Sequence, residues 1–148
     1  MTIPRWAAYV WAAPTTVVGL IGAFLADDIA VVAGVLEGSG PRIGQAFDVV
    51  APHRSIMAMT LGHVVLARSG AALDATRAHE RVHVRQCERW GPLFVPAYVA
   101  ASVAARLRGG DAYFDNRFER EAWRAAPIGG PALDRDTPVG IRHRADAT

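Results

Sequence analysis

His79, Glu80 and His83 occur in the order His-Glu-Arg-Val-His, two imidazoles four residues apart with a carboxylate directly after the first. On a helix, residues four apart share a face, so both rings can reach one metal ion. Glu80, one step round the helix, flanks that face and is placed to serve as general base toward a water molecule. Two histidines packed against a core, with Glu80 paired to an arginine, is the non-chemical alternative. The helix around them argues against it. His79, Val82, His83, Gln86, Cys87 and Trp90 form one continuous stripe, which turns both rings inward among apolar neighbours. Cys87 on that stripe reads as a small buried hydrophobe rather than a ligand.

A catalytic zinc site needs a third protein ligand and one open position. Gln86 and Arg89 stand where a metzincin would carry Gly and His, so that arrangement is excluded. A carboxylate from a later helix is the other standard solution, and residues 116–125 offer Glu119 and Glu121. They are two apart, about 200° around a helix, so only one of them can face the metal.

The run HERVHVRQ, followed by FEREA about 35 residues on, resembles the gluzincins, in which a downstream helix carries a Glu-x-x-Ala-Asp type signature. The closest in type are very small gluzincins and membrane-embedded ones of the CAAX-prenyl-protease and heat-shock-protease kind. The resemblance spans roughly residues 60–125 and implies Zn2+ held by His79, His83 and Glu119, with Glu80 as base. Glu119 is chosen over Glu121 because Ala122 then matches the family alanine. The family's next acid is replaced by Trp123, so support for a ligand histidine must come from elsewhere, Asp115 or Glu121 being at hand. The implied substrate is a peptide or protein. The resemblance also implies an edge strand above the metal, where an extended peptide can add, and MTLGHVVLA fits that place. His63 on that strand is a candidate for touching substrate or stabilising the oxyanion, and Tyr113 is a candidate oxyanion donor. Packing roles for both are the alternatives.

The elements that must position these residues are legible from periodicity and punctuation. A helix capped by Asp74 or Thr76 runs to about Trp90, where Gly91-Pro92 stops it. Residues 92–107 form an apolar helix ended by Gly109-Gly110. Asp115 or Asn116 caps a third helix over 116–125, whose Arg117, Arg120 and Arg124 read as a solvated face. Upstream, residues 29–40 read as a strand and turn, 48–54 as a loop around Pro52, and 55–67 as a second strand. Residues 127–148, rich in Pro, Gly and charge, read as a flexible tail. The fold class expected is α+β, a small zincin-like domain over residues 29–126 behind an apolar segment at 1–28.

That segment is the other informative stretch. Residues 6–26 hold no ionisable group except the phenol of Tyr9. As a helix it would extend roughly 30 Å, the thickness of a bilayer core, with Trp6 and Trp11 near one end as interfacial aromatics. A single-pass membrane anchor is expected; a buried or interfacial helix is the alternative, and Pro14 can begin a shorter helix. Arg5 and the amino terminus place the leading end in the cytoplasm and the site outside it.

Composition excludes several classes. At 148 residues a single domain is expected. A hydrophobic share of 51% with net charge +2 is not that of a disordered chain and gives no reason to expect nucleic acid as partner. One cysteine permits no intrachain disulfide. All 16 basic residues are arginine, so no lysine amine is available for Schiff-base or general-base chemistry. The non-enzymatic alternative is a membrane-associated protein with a structural metal site or a degenerate protease scaffold, its fourth ligand coming from His63 or Glu121.

Overall fold

Two-residue loops with left-handed backbone match the twist of the strands they join, and two of them organise the sheet. Ala33 and Gly34 take φ of 49° and 80°. Residues 28–39 therefore fold back as a hairpin of β1 (Asp28–Val32) and β2 (Val35–Ser39), not as one strand. Gly62, at φ 64°, begins the loop between β3 (Ala58–Leu61) and β4 (Val64–Ala67). It is needed twice over, because a Cβ there would come within 2.6 Å of the Thr16 backbone nitrogen. The single strand expected over 55–67 is thus also a hairpin, with His63 in its turn.

The computed structural model describes residues 4–52 and 54–128, as an α+β arrangement of five α-helices, one 3-10 turn and four strands. From residue 129 onward the tail expected at 127–148 lies outside the described residues. The strand order is β1-β2-β4-β3, with β2 and β4 parallel and the two hairpins antiparallel, so β3 is an edge. Parallel neighbours need a crossover, and α2 (Pro41–Val50) lies within it. This corrects the loop expected from residue 48. Pro41 opens the helix at a position where its missing N–H costs nothing.

Residues alternate across the sheet. Val64 and Leu66 face α1 (Arg5–Ala23) and α2, packing with Ala23, Ile43 and Phe47. Val65, Ala67 and Val35 face α3 (Gly70–Trp90), packing with Ala72, Leu73 and Val84. α3 starts earlier than expected. Ser69 is its cap, accepting a bond from the Ala72 N–H at 3.1 Å. Asp74 instead pairs with Arg77, and the Thr76 hydroxyl donates back to Ala72 O. On the far side of α3, α4 (Phe94–Leu107) and α5 (Arg117–Ala125) close the domain around Cys87, Phe94 and Phe118.

α1 runs through Pro14 without ending, and the Thr15 and Thr16 hydroxyls both donate to Ala12 O. Its segment Trp6–Ala23 is long and apolar enough to cross a membrane. Its inner face packs against the domain: Tyr9 Oη donates to Gly34 O at 2.8 Å, and the His63 N–H donates to Thr16 Oγ1 at 3.1 Å.

Candidate metal site

Three elements deliver the site. α3 supplies His79, Glu80 and His83 from its inner face, α5 supplies Glu119, and α4 supplies Tyr98. The register of α5 is set by Asn116, the only asparagine in the chain. Its Oδ1 accepts from the Phe118 N–H, and its Nδ2 donates to Tyr98 O and to Ser102 Oγ on α4. Phe118, Glu119 and Ala122 then turn inward.

His79 Nε2 lies 3.2 Å from His83 Nε2 and 3.2 Å from Glu119 Oε2, and His83 Nε2 lies 3.3 Å from Glu119 Oε1. All three residues are buried. The outer ring nitrogens fix the tautomers. His79 Nδ1 donates to the carbonyl of Ala126 at 3.3 Å. His83 Nδ1 donates to Gln86 Oε1 at 2.8 Å, and the Gln86 amide nitrogen is committed to Phe118 O and Glu121 Oε2. In their neutral forms both rings therefore present a bare Nε2 lone pair toward each other and toward a carboxylate. Three electron-pair donors converging in a buried site can be satisfied by a cation, either a proton or a metal ion. Bonds of about 2.0–2.1 Å in tetrahedral geometry separate ligand atoms by about 3.3 Å, so the donor set fits zinc. A metal can be held by these residues on the described geometry alone.

The electrostatics follow from the same contacts. Burial alone would push the Glu119 carboxyl up, but with no metal bound and a proton on the facing imidazole nitrogens, hydrogen bonds from His79, His83 and Tyr98 outweigh it and hold its pKa well below the ordinary carboxylate range. Burial likewise opposes charge on His83. The Glu119 hydrogen bond and the negative charges of Glu119 and Glu80 win, and its pKa is raised. Glu80 is dominated by burial, which raises its pKa against the pull of His83, Thr60 and His79. Its Oε2 accepts from Thr60 Oγ1 at 2.7 Å, so edge strand β3 holds the carboxylate in place. Burial, then the charge of Glu119, raises the phenols of Tyr98 and Tyr113 and keeps both protonated. The Cys87 thiol is pushed up to about 11 by burial and is no nucleophile.

Glu80, His83, Tyr98, Tyr113 and Glu119 line one largely apolar cavity of about 460 Å³, whose wall includes β3 and Phe94. The cavity brings together His83, Glu119, Glu80 and Tyr113 of the residues singled out above, with His79 behind them. Two others are placed elsewhere. His63 stacks on Tyr9 at 4.1 Å and its Nε2 bonds Glu88 at 3.0 Å, away from the cavity, because it belongs to the β3–β4 turn and not to the edge. Glu121 points to the opposite side of α5, bonded to Arg89 and Gln86. Nor does Asp115 support a ligand; it accepts from the Asp111 N–H. Trp123 sets its ring edgewise to His79 at 5.2 Å, and a main-chain carbonyl orients that histidine instead of an acid.

Tyr98, Thr60 and the Gln86 amide were not anticipated. Tyr98 donates to Glu119 Oε1 at 2.6 Å. It is the lone phenol in a helix whose other polar side chains are Ser102 and Arg106, a signal open to reading in advance. No protein-family model, curated protein or solved structure matches this chain. The functional reading rests on the side chains themselves.

Proposed function

We propose that this chain is a small zinc-dependent metallopeptidase with a zincin-like, gluzincin-type site, acting on a peptide or protein substrate and attached to a membrane through α1. The observation that carries the reading is a second carboxyl group, Glu80, held by Thr60 and lining the same cavity as a buried His79–His83–Glu119 donor set. A structural site closed by a fourth protein ligand finds less support, since His63 and Glu121, the two residues that would complete it, are bonded to Glu88 and to Arg89.

His79, His83 and Glu119 would hold the ion, which supplies Lewis-acid polarisation of a carbonyl and a lowered water pKa. Glu80 takes a proton from the attacking water at its carboxylate and passes it to the leaving amine. Its raised pKa suits both halves of that exchange, and Thr60 keeps the carboxylate aimed into the cavity. Tyr98 braces the ligand carboxylate. Tyr113, protonated and on the cavity wall, would be the donor to the developing oxyanion. Glu80→Gln tests the reading: zinc content measured by mass spectrometry should stay at the wild-type level while peptide hydrolysis is lost. Full activity in that variant rules the mechanism out.

A further inference from the structure

In a helix that belongs to a water-soluble core, large apolar side chains face inward. α1 is built the other way round. Its buried positions are small: Ala8, Ala12, Thr15 and Ala23, with Gly19 among them. A Cβ on Gly19 would come within 2.7 Å of Val64 Cβ, so the sheet approaches the helix backbone closely. Its outer face is a stripe of Trp6, Val10, Val17, Ile21 and Phe24, with Ile21 64% and Phe24 85% exposed. The large residues are turned away from the protein.

We propose that α1 lies in the plane of a membrane interface, its outer stripe sunk among acyl chains, with the whole domain on one side of the bilayer. A crossing helix is opposed by what hangs on its inner face. Thr16, near the middle of α1, accepts from the His63 N–H, and His63 in turn bonds Glu88, whose side chain is 38% exposed. Were α1 to span the bilayer, that carboxylate would sit at the mid-plane. The edges of β1 and β3, unpaired among the described residues, belong to the same packed unit, and unpaired strand edges are not tolerated in hydrocarbon. In-plane burial leaves these groups in water.

Lipid is favoured over a second copy by the composition of the outer face. Helix pairs in membranes meet through small residues, and those are spent on the inner face. Helix pairs in water flank their apolar seam with charges, and residues 6–26 carry none. α4, which shares a core with α1 through Ala12 and Phe94, has an outer apolar stripe of its own in Val95, Val99 and Val103.

The test adds full-length protein to preformed, sealed phosphatidylcholine–phosphatidylglycerol vesicles. Flotation with the vesicles is expected, and a Val17→Glu, Ile21→Glu double variant should lose it by about tenfold or more. Separately, Pro4→Cys and Asp28→Cys are labelled from outside with a membrane-impermeant maleimide, the wild type with its buried Cys87 serving as the unreactive control. Both ends should label completely. Protection of either end, absence of flotation, or undiminished flotation of the double variant overturns the proposal, as does a loss of dimers with flotation unchanged. The inference shares only membrane attachment with the proposed function. Zinc content, expected to stay at wild-type level in the double variant, separates a failure of the membrane geometry from a failure of the metal site.

Discussion

Gln86 Oε1 stands 2.8 Å from His83 Nδ1, and no other side chain among the described residues bonds that nitrogen. The amide cannot turn over, because its nitrogen already donates to Phe118 O and to Glu121. A fully buried neutral side chain thus does the work that an acid more often does beside a metal-binding imidazole. Gln86→Leu is expected to keep the fold and weaken zinc binding by about 10- to 100-fold, read by competition with a chromogenic chelator. Unaltered affinity would mean that His83 is oriented by its packing alone.

The two glutamates of α5 should separate cleanly. Glu119→Gln removes the carboxylate charge from the donor set while leaving an oxygen that can accept from Tyr98, and zinc content after dialysis should fall to background. Glu121→Gln leaves all three donors in place and should retain zinc. Equal losses would contradict the ligand assignment.

Proton competition gives zinc affinity a definite pH dependence. His83, raised by its contacts, must lose its proton to present Nε2, whereas depressed Glu119 is already ionised. Affinity should therefore rise with pH through the neutral range, with net proton release on binding, measured by titration calorimetry in buffers of different ionisation enthalpy. Chelator-treated protein should show the converse in its stability. The His83 contribution is fully present below the ordinary imidazole value of 6.5 and is lost as pH rises through the raised one. The Glu119 contribution is present above the ordinary carboxyl value of 4.5 and is lost as pH falls through the depressed one. The metal-stripped Tm should peak in the weakly acidic range between those two values, and a maximum at alkaline pH would refute this coupling.

Thr60 offers a change that spares the metal. The Thr60 hydrogen bond lowers the Glu80 pKa against the push of burial, so Thr60→Val should raise it further. The acid limb of the pH–rate profile should move to higher pH while zinc content holds. An unmoved limb would detach Glu80 from the acid limb.

Gly62 tests the scaffold. Alanine there meets both a left-handed backbone and the Thr16 backbone, so Gly62→Ala should cost about 1–3 kcal/mol, lowering Tm by several degrees. A Tm equal to wild type would show that α1 can back away from the turn.

Where periodicity is strong, sequence reading and structure agree. The helices carrying His79, His83 and Glu119 were legible because inward residues recur every three or four positions and because Asn116 marks a helix start. Elements governed by backbone sign rather than by side-chain pattern were not. Ala33-Gly34 and Gly62-His63 interrupt apolar runs without changing their polarity, so two hairpins looked like two strands. The turn expected at the end of residues 29–40 leads directly into α2, which Pro41 opens. His63 was misplaced for the same reason, since a residue assigned to a strand changes neighbours entirely when it moves to the loop. The roles of Gln86 and Tyr98 depend on α4 and α5 meeting across α3, which spacing along the chain does not encode.

Asn116 has a mechanical consequence. By bonding Tyr98 O and Ser102 Oγ on α4 while capping α5, one side chain obliges the two helices to shift together. Tyr98 and Glu119 ride on those helices, so their 2.6 Å contact travels as a rigid pair. The outer side of α4 is the apolar stripe of Val95, Val99 and Val103. Lateral pressure on that stripe would therefore bear on the phenol and the carboxylate together, and any grip these residues have on an ion would respond to whatever α4 leans against.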